Sequence, residues 1–350
     1  MKSNYICPHL MKNTQATIRD LALKLNISIS TVSRALRGAQ DVNPETKKAV
    51  LEMAQQMNYE PNKVAQSLRI KKTNTIGIVV PEIAIHFFSS VISGIQHYTS
   101  RHGYSIMICQ SLESFETEKA NVQMLVSNRV DGLLISVSSE TREYQHLERL
   151  VEKKIPTVLF DRVVESLDVS KVVVDDHDGA FKAVDYLVKT GCKRIAYIGG
   201  ALTLSISNQR MKGYMDALKT NNIPVREELM VFCNEFHDEP IVATRQLLDL
   251  PELPDAIFCM NDPVAILTLQ VLKQRKIAVP EEISVVGFTN EPVSRYIEPS
   301  ITTVAQPAYQ MGEAAARMFI DQVENPSSFK PRMETLQTEL IIRNSTRRIS

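Results

Sequence analysis

From Thr75 onward, short runs rich in Val, Ile, Leu and Phe return repeatedly, and between most of them lies a segment long enough for a helix. This recurrence limits the possible folds more than any other feature. The runs begin with TIGIVV (75–80), SIMIC (105–109), GLLIS (132–136) and TVLF (157–160). They continue with KVVVD (171–175), RIAYIG (194–199), LMVFC (229–233), DAIFC (255–259) and ISVVGF (283–288). Unbroken apolar runs mark strands buried on both faces, which in practice means parallel strands joined by crossover helices. There are too many for one small sheet, and the two successive series predict two doubly wound α/β lobes. Late in the chain come SITTV (300–304), a helix over 307–323 and TLQTELII (335–342), which let the chain cross between the lobes again.

Residues 1–75 have a different character. They hold twelve Lys and Arg against five Asp and Glu, a balance of +7, while the whole chain is neutral with 40 of each sign. The remainder is therefore acidic, and an anionic partner is expected for the head alone. The five cysteines (7, 109, 192, 233, 259) include no CxxC pair and read as reduced thiols in or near cores. The first residues, MKSNYICPHLMKN, lack the apolar segment of a signal peptide, and no run reaches membrane-spanning length. Residues 1–13 are expected to be a disordered leader, Met11 is a candidate start, and the expected location is cytoplasmic.

The head reads as three short helices. Thr17 and Asp20 match a capping box, and Ile18, Leu21, Ala22 and Leu25 repeat at helical spacing. Ser28 caps a second helix with Val32, Ala35 and Leu36 inward, and Gly38 ends it. Asn43-Pro44 opens a third, carrying Val50, Ala54 and Met57. Two helices joined by a tight turn make a helix-turn-helix, whose second helix enters the major groove. That explains NISISTVSRALRG (26–38), a segment crowded with hydroxyls that are only middling helix formers. With the apolar residues inward, Ile29, Ser30, Ser33, Arg34 and Arg37 face out. Hydroxyls suit phosphates, and arginine suits guanine edges. The next segment, YEPNKVAQSLRIKKT (59–73), has an Asn62 cap, a small apolar edge of Val64, Ala65 and Leu68, and then basic residues. It is too short to be a stable helix alone and is expected to fold on DNA, with the apolar edges of two chains wedged into the minor groove.

TIRDLALKLNISISTVSRALRG (17–38) followed by NYEPNKVAQSLR (58–69) resembles the LacI/GalR family of bacterial repressors, and the order of motifs continues along essentially the whole chain. The resemblance implies base reading by Ile29, Ser30 and Arg34. It implies phosphate contacts at Thr17, Ser28, Ser33 and Asn43, and a minor-groove wedge at Leu68 beside Ala65. Thr31, Arg37, Asn62 and Lys63 complete the expected DNA-facing set. The body would be a two-lobed sensor of periplasmic-binding-protein type.

In open α/β sheets, ligands bind at the carboxyl ends of strands. The polar residues there are Asp161, Arg162, Asp175, Asn261, Asp262, Thr289 and Asn290. The resemblance adds Arg210, placed by Gly213, as a binder of effector oxygens, and Phe87 and Phe88 as ligand-facing aromatics. Where the family often has two acids after GF, this chain has Thr289-Asn290. That pair suits hydroxyls and leaves room for an anionic effector such as a sugar acid.

The expected division is 14–60 for the helix-turn-helix domain and 61–73 for a hinge helix or linker. The N-terminal lobe takes 74–162 and 300–325, the C-terminal lobe 163–299 and 326–345. Histidines at HExxH or paired metal spacing, a GxGxxG and a P-loop are all missing, so no enzyme is expected, nor any cofactor or metal. The acids of VVDDHDGA (173–180) read as helix caps. The expected function is transcription regulation, in most cases repression, by a homodimer on a near-palindromic double-stranded operator. A small-molecule effector, a sugar or sugar derivative, would bind between the lobes and shift operator affinity. The rival is a sugar sensor or carrier with no DNA role; it calls for a signal peptide and no basic head, the reverse of this sequence.

Overall fold

The computed structural model describes residues 16–59, 72–233 and 239–348. The expected leader, most of the expected hinge, and Asn62, Lys63, Ala65 and Leu68 lie outside the described residues. Contacts divide the chain between Thr73 and Asn74.

The first unit holds helices α1 (Ile18–Leu25), α2 (Ile29–Leu36) and α3 (Pro44–Gln56). Leu21, Val32, Ala35 and Val50 are completely buried at their junction. Each helix begins at a side-chain cap. The Thr17 hydroxyl accepts from the Asp20 amide, and the Asp20 carboxylate accepts from the Thr17 amide at 2.8 Å. Ser28 accepts from the Thr31 amide and Asn43 from the Glu45 amide. The short apolar stripes suffice because three helices share one small core.

The second unit holds two six-stranded sheets. In the first, β1 (Thr75–Val80), β2 (Ser105–Gln110), β3 (Gly132–Ile135), β4 (Thr157–Phe160), β5 (Ser170–Val174) and β11 (Met333–Leu336) lie in the order β11-β5-β4-β3-β1-β2. All its pairings are parallel. In the second, β6 (Ile195–Gly199), β7 (Met230–Phe232), β8 (Ala256–Cys259), β9 (Ser284–Thr289), β10 (Thr302–Ala305) and β12 (Glu339–Ile341) lie in the order β12-β10-β9-β8-β6-β7. Only the β10–β12 pairing there is antiparallel.

Helices α4 (His86–Arg101), α5 (Phe115–Ser127), α6 (Gln145–Glu152) and α11 (Ala308–Glu324) cover the first sheet. Helices α7 (Asp176–Lys189), α8 (Ser205–Thr220), α9 (Glu239–Leu248) and α10 (Asp262–Gln274) cover the second. β3 and β4 are buried along their whole length, as unbroken apolar runs require. The β2 edge strand is not, with Met107 and Ile108 more than a third exposed. Cys109, Cys192, Cys233 and Cys259 are buried free thiols.

The strands sort differently from the expected lobe boundaries. Residues 163–299 were assigned to the C-terminal lobe, yet β5 extends the first sheet, with Ser170 opposite Val158. Residues 300–325 were assigned to the N-terminal lobe, yet β10 pairs with β9 in the second sheet. The run 335–342 is divided, β11 joining the first sheet and β12 the second. An apolar run announces a strand without saying which sheet edge is free to receive it, and that is settled only by tertiary pairing.

α4 and α11 pack closely because Gly94 and Gly312 face each other's backbone. A Cβ on Gly94 would collide with the Tyr309 carbonyl oxygen, and one on Gly312 with that of Val91. Neither obstacle is a flexible side-chain tip. Gly312→Ala is therefore expected to cost about 1–3 kcal/mol or more through overpacking. It should appear as a drop of several degrees in Tm, and a melting curve matching the unmodified protein would refute the close approach.

Candidate functional sites

In the first unit, α2 carries the residues expected to meet DNA. Ser28, Ile29 and Ser30 are exposed at its N-terminus, Ile29 by 44%. The Ser28 hydroxyl lies 2.7 Å from that of Ser30 and 2.8 Å from that of Thr31. The crowded hydroxyls thus bond one another and the first turn of the helix. Thr17, Ser28 and Asn43 are all N-caps, so three of the four expected phosphate contacts stand where the helix dipole already favours an anion, while Ser33 lies inside α2. The hydroxyl and amide of Thr17 hold Asp20 below the usual carboxylate range. Arg34 pairs with Asp41, and Arg37 Nε donates to the Ser33 carbonyl at 3.0 Å. The Arg34–Asp41 pair is about half-exposed on both sides, a kind worth little in water, so the guanidinium can trade it for a base edge at small cost.

In the second unit, the strand ends of both sheets open on a cleft of about 780 Å³, including its mouth. Of the residues selected from sequence, Phe87, Phe88, Asp161, Arg162, Arg210, Asn261 and Thr289 line it. Arg162 is 7% exposed and donates from Nη1 to both oxygens of Glu113, at 2.6 and 2.8 Å. Glu113 also accepts from the Ser139 amide at 2.7 Å. Arg210 donates from Nε to Asp176 at 2.7 Å and from Nη1 to the Met260 carbonyl at 2.6 Å. Its guanidinium lies over the Phe288 ring, 3.8 Å from the centroid. Burial pushes the Asp176 carboxyl up, against the pull of Arg210. Gly213 sets α8 against α7, since a Cβ there would strike the His177 carbonyl, and this close approach places Arg210.

Three selected residues do not line the cleft. Asp175 caps α7, accepting from the Asp178 amide at 2.9 Å, and the partner of Arg210 is its neighbour Asp176. Asn290 accepts from Arg343 Nη2 at 2.5 Å. Asp262 is completely buried and accepts from Ser294 Oγ (2.6 Å), Thr303 Oγ1 (2.5 Å) and the Glu291 amide (2.7 Å). These roles are structural: residues at strand ends also begin helices, and a carboxylate serves either purpose. Asn261, although it lines the cleft, spends its Oδ1 capping α10.

Sequence reading missed Glu113, Ser207, Glu291 and Gln306, which also line the cleft. Glu113 and Gln306 follow β2 and β10, so the strand-end rule applied to those two strands would have found them. Glu291 lies two residues past the end of β9, within reach of the same rule, whereas Ser207 sits in the first turn of α8 and had no such signal. Gln306 Nε2 and Thr289 Oγ1 are buried with no hydrogen-bond partner among the described residues. The backbone has positive φ at Leu112, Glu113, Asp161, Thr289 and Asn290, Thr289 ending β9 and the others just beyond strands. Thr289, at φ 102°, is an unfavourable place for a β-branched residue. Conformations of this kind cost about 1–3 kcal/mol each and persist where the surroundings impose them.

No cluster of potential metal ligands and no helix long and apolar enough to span a membrane occurs among the described residues.

A family model described as bacterial regulatory proteins, lacI family, matches residues 17–62, and one for a periplasmic binding protein-like domain matches 184–346. The chain is 32% identical over 341 residues to the HTH-type transcriptional repressor CytR of Escherichia coli K12, covering 96% of this chain and 98% of that protein. Among solved structures, a complex of the transcriptional regulator CelR with cellobiose is 29% identical, with a TM-score of 0.73 over 95% of this chain and all of that one. The Lac repressor dimer bound to operator and the anti-inducer ONPF shares the fold, with a TM-score of 0.84 at 24% identity, over 95% of this chain and 99% of that one. A helix-turn-helix head and a two-lobed body with a polar cleft define a ligand-responsive DNA-binding regulator. The chain belongs to the LacI family and is a DNA-binding repressor with an effector-binding domain.

Burial pushes Asp262 up to about 6. A carboxyl raised on folding stabilises most below its unfolded pKa, and that contribution is lost as pH rises through the folded value. Thr303→Val removes a donor to the ionised form and raises the folded value further. It should cost about 1–3 kcal/mol at neutral pH, and less near pH 5 than near pH 7.5. Thermal denaturation of both proteins across this range measures it; a cost independent of pH would rule out ionised Asp262 as the acceptor.

Proposed function

We propose that this repressor responds to a neutral polyhydroxylated small molecule, a sugar or sugar derivative, bound between its lobes. The carrying observation is the charge balance of the cleft. Each arginine is already neutralised, Arg162 by Glu113 and Arg210 by Asp176, while Asp161 and Glu291 add negative charge. An anionic effector would have to displace a buried carboxylate, so the sugar acid is the poorer reading. The unpartnered Thr289 Oγ1 and Gln306 Nε2 offer an acceptor and a donor for hydroxyls, and Phe87 and Phe88 offer apolar ring faces. Cellobiose in the CelR complex is consistent with this chemistry. In a thermal-shift screen, neutral sugars should raise Tm and sugar acids should not; the opposite pattern would overturn the charge argument.

The repressor acts as a homodimer on a near-palindromic operator. Support comes from the exposed apolar β2 edge, with Met107 and Ile108, and from the Lac repressor relative, a dimer on its operator. Ile29 and Ser30 present the outermost side chains of the α2 N-terminus, and Arg34 supplies a bidentate donor one turn further on. Effector binding and operator binding are coupled through the lobes, so each changes the affinity of the other by the same factor.

Arg34→Ala should cost about 1–3 kcal/mol on the preferred operator and relax specificity at one base pair. Measured across salt concentrations by anisotropy, the unmodified protein should lose affinity steeply with salt while keeping its sequence preference, with two chains per duplex. Uniform weakening on every sequence would make Arg34 a phosphate contact instead.

A further inference from the structure

A second cavity, of about 1000 Å³ including its mouth, lies between α5 and α6 and shares no lining residue with the interlobe cleft. Its rim carries Lys119 from α5 with Arg149 and Lys153 from α6 and its end, against the single carboxylate of Glu143. Lys119 lies 3.8 Å from Glu116 and over the Phe115 ring. The side chains of Arg149 and Lys153 have no partner among the described residues. They sit four apart on one helix, a like-charge spacing that weakens a helix. The dipole at the end of α6 favours cations there, but it does not require them on the face that borders a cavity.

His146 forms part of the cavity wall. It is 8% exposed, and its Nε2 lies 2.7 Å from Glu118, which is completely buried. Glu118 also accepts from the Ser138 amide and the Thr141 hydroxyl. The other imidazole nitrogen, Nδ1, is buried with no hydrogen-bond partner among the described residues. Val122 and Leu150 supply an apolar floor.

We propose that this groove is a second ligand site, separate from the effector cleft, for a small molecule that carries a phosphoryl group. Arg149 presents a planar fork and the two lysines present point charges, the combination that suits a dianion with several acceptor oxygens. Glu118 holds His146 at Nε2, which leaves the buried, unpartnered Nδ1 as the polar atom of the wall next to the bound group. The body of the ligand rests on Val122 and Leu150.

The test is calorimetry on the full chain in phosphate-free buffer. The probes are glucose 6-phosphate, glucose as the arm without a phosphoryl group, and inorganic phosphate as the arm without an organic body. Glucose 6-phosphate should bind saturably at one site per chain in addition to any site glucose itself fills. In the double variant R149Q/K153Q that site should weaken at least about tenfold, a loss of about 1.4 kcal/mol. R149K/K153R should retain most of the affinity, and Arg210→Lys in the cleft should leave this site unmoved. Inorganic phosphate should bind more weakly and respond to the same variants. Both substituted side chains are exposed, so melting curves should match the unmodified protein. Affinity unmoved in R149Q/K153Q would put the phosphoryl group elsewhere, on the basic head or in the cleft, and would overturn the site. So would loss in Arg210→Lys alone, or no saturation.

Discussion

The cleft depends on a carboxylate held out of water. Asp262 opens α10, and three donors reach it from two other segments: a hydroxyl on β10, and a hydroxyl and the Glu291 amide in the turn after β9. An unpaired buried charge would be prohibitive, so these segments cannot drift apart without exposing it. Gly287 makes the arrangement possible, since any side chain there would occupy the place of the carboxylate. Thr289 and Asn290 take their left-handed conformations immediately beyond this anchor, and Thr289 Oγ1 is left facing the cleft wall. The wall of the cleft is therefore set by a residue that does not line it.

Asp262 also shows what was readable from sequence and what was not. The two-sheet architecture, the capped helices of the head and the inward Val32 and Ala35 all follow from local chemistry. Periodicity, caps and turn residues act over a few positions, and the sequence displays them directly. Roles at strand ends are less legible. Asp161, Arg162 and Asn261 reach the cleft, whereas Asp175, Asp262 and Asn290 are spent on caps and buried bonds. A carboxylate at the start of a helix looks the same in both roles, and only the third dimension separates them. Glu113 was within reach of the strand-end rule, three residues beyond β2, but the turn that carries it into the cleft, left-handed at Leu112 and Glu113, is not written in that rule. The lobe boundaries failed for a related reason: an apolar run does not name the sheet it joins, and β5 and β10 extend the sheets of the strands just before them while β11 returns to β5 from far along the chain.

Charge works differently in the two units. On the head, the exposed Arg34–Asp41 pair is loosely held and easily exchanged, which suits a surface that must meet a highly charged polymer and leave again. In the cleft, Arg162 is tied to the part-buried Glu113 and Arg210 to the buried Asp176, and their guanidinium groups lie near the Phe88 and Phe288 rings. They act as fixed walls more than as mobile grips, and the hydrogen-bonding capacity left in the wall lies on Thr289 and Gln306.

The chain passes between the two lobes at three places: after β5, between β10 and α11, and between β11 and β12. A single tether would leave one lobe free to swivel and twist about it. Three tethers constrain the pair as three straps constrain a door. They remove free twisting and outright separation, and what remains is mainly bending and a small slide. A joint strapped in this way has very few ways to move, so any displacement of one lobe against the other is confined to a narrow path.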